Sequence, residues 1–507
     1  MISLNSCDDI MLRPRRRKWS PMIEYVFRRV LLALIISLVI VVVFQKEAQL
    51  IPKNVRVHYP TWPKNLPTQE GPQQCQPNLT TLQNLGLANE VDYSRINVAV
   101  KFSKNAKMPK QGYTQLDVPL PKSQTVFLTS DYHDDEHLCG ENIVLELPQP
   151  STSADASHMV IGLATMLNRL NDSIPAFAQW AAHTGVHFYA LVPPPETSTP
   201  KYSISDVLKV EQRAREFGFN LEIRTSEMEY DDRYFSLLSL LAEYRKPTTK
   251  WGLIMDDDTF FLSMPNLLSL LAKYDDKEMH YVGGLSEDMI QIGYLGPIAF
   301  GGAGIFVSAP LLDALQPHVN ECMDWREQYP TGDSRIAACI AGKTGVTLEW
   351  EEKLHQLDIR GDASGFFESG REQPISVHHW KSWFQVPMEK VALVSKACGE
   401  ECLLRRWRFK DGWYLTNGYS IVKYWDEEEV KTGKKLTMEK TWYEEIEWES
   451  KERYAHSLEP LRPKDLKKAS MRLEDAVVEG DVVRQFYVRR GDAERNDRVM
   501  EVVWQRQ

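Results

Sequence analysis

The sequence predicts an α/β fold built on a largely parallel sheet. Two patterns carry that prediction. Between about residues 95 and 395, short apolar runs alternate with stretches of helical periodicity, the order that lays helices on the faces of a parallel sheet. One of those runs, WGLIM at 251–255, leads straight into three aspartates, and open α/β sheets bind ligands beyond the carboxyl ends of their strands.

The 507 residues give room for two or three domains, and an apolar fraction of 43% suffices for a sizeable core. Residues 1–29 hold seven basic side chains against three acidic ones and read as a cytoplasmic tail. The remainder of the chain is correspondingly acidic, within an overall net charge of -10, which argues against nucleic acid as the principal partner. Residues 30–44, VLLALIISLVIVVVF, are uninterruptedly apolar and, with their flanks, approach the length of a membrane span. The preceding RPRRRK makes 30–46 a signal anchor with the N-terminus in the cytoplasm, a type II arrangement with residues 47–507 luminal. Residues 47–94, rich in Pro, Gln and Asn, read as a stem.

In an oxidising lumen the six cysteines after Cys7 are expected to pair locally, as 75–139, 322–339 and 398–402. Asn78 and Asn171 head sequons for glycosylation.

Along the body, RINVAVKF (95–102) and QTVFLTS (124–130) read as short buried strands. Residues 154–170 place Met159, Leu163, Met166, Leu167 and Leu170 on one helical face. VHFYALV (186–192) is a strand, 206–219 a helix ending near Gly218, and 233–246 a helix stopped by Pro247. A helix from 265 to 274 has Ser263 as its N-cap. Beyond 396 the stretch RRWRFKDGWYLTNGYSIVKYW suggests a small β-rich extension, with the charged remainder to 507 forming surface helix and loop.

In an extended segment Asp256 and Asp258 share a face while Asp257 points away, and two carboxylates on one face suit a hard cation, Mn²⁺ or Mg²⁺, that also binds phosphate oxygens. The alternative is a solvated acidic turn capping the next helix. FGGAGIFVS (300–308) sets three glycines ahead of an apolar strand, either as a tight loop or to let the backbone approach a ligand. Asp333 opens an apolar helix, as N-cap or as a reactive carboxylate. His378 and His379 follow a short strand, and histidine with carboxylates is a normal Mn²⁺ set.

Taken in order, VAVKF (98–102), FLTSD (127–131), WGLIMDDDTFF, FGGAGIFVS, GDSRIAACI, HQLDIRGDASGFFES (355–369), SVHHW and LTNGYSIVKY (415–424) resemble the Fringe-like glycosyltransferases of family 31, especially their fungal branch of type II membrane proteins. The resemblance covers roughly residues 95–425 and implies a GT-A catalytic domain at 95–395, with 396–507 as the extension. It also implies a UDP-sugar donor, Mn²⁺, and inverting transfer to a glycan or glycoprotein hydroxyl, often in a β1,3 linkage, at a Golgi or endoplasmic reticulum membrane. By position, Asp258 and His378 would ligate the metal, with His379 the rival to His378. Asp256 and Asp257 would line the diphosphate, and Ala99, Lys101, Thr129 and Asp131 the nucleotide pocket. Gly301, Gly302, Ala303 and Gly304 would border the sugar, and Asp333 would be the general base. The family's paired acidic residues at the base motif are here Gly332-Asp333-Ser334, leaving Asp333 alone. A catalytically inactive lectin-like or scaffold protein on the same fold is the rival reading. A metal-dependent hydrolase would want a second metal centre or further clustered histidines.

Overall fold

The computed structural model describes residues 77, 79–129, 142–151, 154–425, 438–442, 455–458 and 460–507. Chain contacts divide the protein after Glu70, and all the described residues fall in the second unit, Gly71–Gln507. The cytoplasmic tail, the apolar run at 30–44, Asp131, Cys75 and Cys139 lie outside the described residues, among which no helix is long and apolar enough to cross a membrane.

A mixed α/β architecture carries two large sheets. The first has seven strands, in the order Glu349–Trp350, Tyr281–Gly283, Ile305–Ser308, Trp251–Ile254, Met159–Ala164, His187–Val192, Asn220–Thr225. The four strands at one end run parallel, whereas Ile305–Ser308 is antiparallel to both its neighbours. Met159–Ala164 lies in the interior of this sheet with all six residues buried. It replaces the helix expected over 154–170. Met159 and Leu163 are four apart, a spacing that serves a strand face as well as a helix face. The β-branched Val160 and Ile161 between them fit a strand buried on both sides. The helix begins only at Leu167 and runs to Ala181.

Downstream elements follow their local signals. Ile204–Glu216 is a helix closed by a Ser203/Asp206 capping box. The helix expected over 233–246 is two, Tyr230–Phe235 and Leu237–Tyr244, which meet at Ser236. Ser263 caps Met264–Leu271, accepting from the Asn266 N–H at 3.3 Å. Cys322 pairs with Cys339 and Cys398 with Cys402. The sequon at Asn171 falls inside the helix Leu167–Ala181, where the Asn171 side chain accepts from Arg213 at 2.7 Å and Ser173 is fully buried.

The second sheet departs most from expectation. It has ten strands and joins both ends of the described chain: Glu90–Ser103 runs parallel to Asp497–Arg506, Val91 opposite Asp497 through Val100 opposite Arg506. Residues 95–102 thus belong to a different sheet from the aspartates. The described residues after 460 are not mainly surface helix and loop, the form expected of the stretch to 507. They supply Ala469–Glu479, Val482–Arg489 and Asp497–Arg506, and in the last of these Val499, Met500, Val502, Val503 and Trp504 are all buried. Charge within this core is compensated: Glu501, fully buried, accepts from Arg484 at 2.6 Å and from the Tyr93 hydroxyl. The small extension expected at 396–507 is therefore one part of a sheet whose other part comes from residues 90–148.

Candidate active site

The site forms where a minimal ladder brings distant segments together. Phe260–Phe261 pairs antiparallel with Ser376–Val377, Val377 opposite Phe260, and this sets the residue after Val377 beside the aspartate turn. His378 Nε2 lies 2.9 Å from Asp258 Oδ1 and 3.3 Å from Asp256 Oδ2. Its Nδ1 lies 3.1 Å from the Gln356 carbonyl oxygen, which can only accept, so Nδ1 carries a hydrogen and Nε2 faces the carboxylates. Burial alone would lower the His378 pKa, but Asp258 and Asp256 outweigh it and hold it well above the ordinary value. Burial alone would raise Asp258, and His378 instead holds it far below the carboxylate range. The imidazole and each of the two carboxylates thus attract one another at the place that a cation would take.

The donor set fits a divalent metal. Ligand atoms of Asp258, His378 and His379 all come within 4.8 Å of one another. Cis ligands around an octahedral ion bonded at about 2.1 Å are roughly 3 Å apart, near the observed 2.9 and 3.3 Å from Nε2 to the two carboxylates. His379 is held by a second carboxylate, its Nε2 lying 3.2 Å from Asp358 Oδ1, and its ring stacks on Trp383 at 3.6 Å. Gln356 and Asp358 thus steady both histidines from one short segment, as outer partners of metal-binding imidazoles do.

Asp257 turns to the other side and is saturated. Arg169 grips it through Nε at 2.8 Å and Nη2 at 2.6 Å, Lys381 Nζ lies at 3.2 Å, and the Thr165 hydroxyl donates to it. This corrects the diphosphate-lining role expected of Asp257, whose oxygens are already committed. What reaches solvent here is cationic: the Arg169 side chain is 45% exposed and its Nη2 is 4.0 Å from Asp258. Arg169, Lys381 and Thr165 sit in no motif, and nothing in the sequence pattern marks them.

Asp333 is not the N-cap of its helix. Thr331 caps Gly332–Thr344, accepting from the Ser334 N–H at 3.3 Å, which leaves the Asp333 carboxylate free to accept from the Gly301 N–H at 3.2 Å. Burial and then the charge of Asp256 raise Asp333 to about 7. Tyr234, 3% exposed, lies with its hydroxyl against both Asp256 and Asp333. It too was silent in the sequence.

The glycine run makes room for these groups. A Cβ on Gly301 would stand 1.6 Å from the Tyr234 hydroxyl, and one on Gly302 2.1 Å from His378 Nδ1. Ala303 is fully buried, its N–H donating to Gln356 Oε1 at 2.9 Å and its carbonyl accepting from Ser376 at 2.7 Å, and Gly304 is buried at positive φ. The loop therefore borders Tyr234, Asp333 and His378. Ala99 and Lys101 are not brought to this cluster. Ala99 stands opposite Gln505 and Val144, Lys101 is exposed opposite Glu146, and Thr129 is exposed beyond a strand of the same second sheet. Their expected place in a nucleotide pocket is withdrawn.

Residues 292–388 match the model of a family described as a protein of unknown function, DUF604. The interval takes in the glycine run, Asp333 and both histidines and stops short of the aspartates. Comparison with curated proteins gives no match. Among solved structures the chain is similar to the mannosyltransferase PcManGT from Pyrobaculum calidifontis in complex with GDP-Man and Mn²⁺, with TM-score 0.29, 14% identity, and 41% of this chain and 59% of that one covered. It is also similar to the glycosyltransferase GlyE of Streptococcus pneumoniae (TM-score 0.30, 10% identity, 46% and 57% covered). Mouse xyloside xylosyltransferase 1 is a third (TM-score 0.27, 8% identity, 39% and 85% covered). The chain thus spans about 59% of the length of the mannosyltransferase. Likeness at this level assigns neither donor nor linkage.

Proposed function

We propose that the protein is a metal-dependent inverting glycosyltransferase, moving a sugar from a UDP-sugar to a hydroxyl of a glycan or glycoprotein, in keeping with its Fringe-like motifs and with a β1,3 linkage. One observation carries the reading. Two carboxylates and an imidazole converge at spacings that suit the ligands of one cation, and a separate carboxylate, raised in pKa, stands across Tyr234 from them. A type II protein of the Golgi or endoplasmic reticulum with a luminal catalytic unit follows from the sequence reading of residues 1–46.

Asp258 and His378, with Asp256 and His379 adjacent, would hold the Mn²⁺ or Mg²⁺. When bound, the metal neutralises charge developing on the departing diphosphate. Arg169, fixed by its bidentate grip on Asp257 and open to solvent, would bind the same diphosphate from the chain's own side. The acceptor hydroxyl oxygen forms the new bond to the anomeric carbon as the bond to the diphosphate breaks. Asp333 takes the hydroxyl proton, and inversion in a single displacement needs no covalent nucleophile.

The luminal part incubated with Mn²⁺, a panel of UDP-sugars and candidate acceptors is expected to release UDP with one donor, and to stop when the metal is chelated. Nucleotide binding with no release from any pairing of donor and acceptor would favour the lectin-like or scaffold reading. Arg169→Gln is expected to weaken UDP affinity by about tenfold, the scale of one charge-assisted hydrogen bond, while metal affinity stays unchanged. Equal UDP affinity in variant and parent by calorimetry would remove Arg169 from the diphosphate site.

A further inference from the structure

Tyr230 stands beside the aspartate cluster, and no step of the reaction above uses it. It opens the helix Tyr230–Phe235, one turn before Tyr234, and the two rings lie 6.0 Å apart between centroids. Tyr234 is buried, whereas Tyr230 is 48% exposed. Burial of its hydroxyl, and then the charges of Asp256, Asp333 and Asp257, push the Tyr230 pKa upward. Arg169, raised chiefly by its hydrogen bond to Asp257, feels Tyr230 as well. The hydroxyl therefore faces the carboxylates and Arg169 while the ring reaches solvent.

The residues that follow Tyr230 hold it in place. Asp231 accepts from the Gly332 N–H at 3.0 Å, and Asp232 accepts from Arg335 Nη1 at 2.5 Å. Both bonds fasten this short helix to Gly332–Thr344, the helix that carries Asp333. Gly332 lets the two helices close, since a Cβ there would stand 2.6 Å from Tyr234 Cδ1. The position of the Tyr230 ring is thus tied to that of Asp333. A lone exposed tyrosine is ordinary on a protein surface. One fixed between Arg169 and Asp333, with its hydroxyl turned inward, calls for a partner.

We propose that Tyr230 is a specificity-determining residue that binds the transferred sugar of the donor, with its ring against the C–H face of a pyranose and its hydroxyl on a sugar hydroxyl. The inference rests on the glycosyltransferase reading above. In that reading the sugar is bonded to a diphosphate held by Arg169, and the hydroxyl that attacks it gives its proton to Asp333, so the sugar spans the gap between those two side chains. Tyr230 adjoins both. A pyranose gathers C–H groups on a face and hydroxyls at its rim, and tyrosine answers with an apolar face and one polar tip. Such a ring with a few placed polar groups is how ligand sites combine affinity with orientation.

The test is calorimetric titration of the purified full-length chain, with Mn²⁺, against UDP and a panel of UDP-hexoses and UDP-N-acetylhexosamines. Tyr230→Ala is expected to weaken the UDP-sugar that the parent binds by about tenfold and to leave UDP unchanged. Tyr230→Phe keeps the ring and should weaken the same UDP-sugar by about threefold, the share of one neutral hydrogen bond. Near-ultraviolet circular dichroism establishes the fold, and the phenylalanine variant decides the matter should the alanine variant not fold. Unchanged UDP-sugar affinity in the folded variants overturns the inference, as does an equal loss for UDP, which would put Tyr230 on the nucleotide. A parent that binds UDP but no UDP-sugar overturns it too. Those results leave nucleotide binding intact, whereas a parent that binds neither UDP nor any UDP-sugar overturns the glycosyltransferase reading and this inference with it.

Discussion

Asp333→Asn is expected to lower sugar transfer by about 10²–10⁴-fold, the usual contribution of a positioned general base, with UDP and Mn²⁺ affinities unchanged. The amide is isosteric, and its oxygen can still accept from the Gly301 N–H that the carboxylate accepts from at 3.2 Å. What it lacks is the basic lone pair. The thermal consequence runs in the opposite sense from ordinary damage. The Asp333 pKa is raised to about 7 in the folded chain by burial and by Asp256. Its ionisation therefore costs stability as pH rises above the unfolded value near 3.9. Asparagine removes that cost, so the variant should melt higher than the parent at pH 8 and show little difference at pH 3. Activity of the parent should rise with pH through the ionisation of Asp333. With metal bound the limb should fall below 7, because a cation on Asp256 and Asp258 offsets the charge that raises Asp333. Transfer by Asp333→Asn at the parental rate, measured with saturating donor and metal, would sink the base assignment.

In the first sheet Trp251–Ile254, His187–Val192 and Ile305–Ser308 were legible as short apolar runs punctuated by Gly and Pro, whereas Asn220–Thr225, Tyr281–Gly283 and Glu349–Trp350 were too short or too polar to stand out. Met159–Ala164 failed where strand and helix periods coincide at a spacing of four. In the second sheet the strands within 95–102 and 124–130 and the β-rich stretch from 405 to 425 were legible, but their joining into one sheet and the strands after 425 were not. In Ala469–Glu479 the ladder slips between Leu473 and Asp475, so the buried positions fall at 471, 473 and 476 and the alternation of a strand is broken. Its partners also arrive from opposite ends of the sequence, and no local pattern announces that Glu90–Ser103 pairs with Asp497–Arg506.

At the site, the residues that chemistry demands were visible as types: carboxylates at a strand end, histidines after a short strand, an acidic residue opening a helix. The residues that hold them were not. Arg169 and Tyr234 lie on helices whose pattern is set by packing, and their meaning appears only once Asp257 and Asp333 face them. The glycine run was visible as a motif, but the side chains it makes room for, Tyr234, Asp333 and His378, come from three separate segments that no local pattern joins.

Making that room gives the second large effect. Gly302→Ala is expected to cost at least 10–100-fold in metal affinity, the range seen when the groups supporting a metal-binding imidazole are lost, and transfer should fall with it. Gly302 does not sit at positive φ, so alanine meets no backbone strain and acts only through its methyl group. That methyl would stand 2.1 Å from His378 Nδ1, 2.3 Å from Cε1 and 2.4 Å from Cγ, far inside contact distance. The ring has little room to yield, with His379 at 3.7 Å from it and its own Nδ1 hydrogen bonded to Gln356. Displacement would open the 2.9 Å approach of Nε2 to Asp258. Gly301→Ala is the discriminating control, because its methyl strikes the Tyr234 hydroxyl on the Asp333 side and leaves His378 alone. It should keep the metal and lose turnover. Manganese titration followed by electron paramagnetic resonance separates the two variants. Parental metal affinity in a folded Gly302→Ala would mean that His378 does not ligate the metal, and would move the assignment to Asp258 with His379.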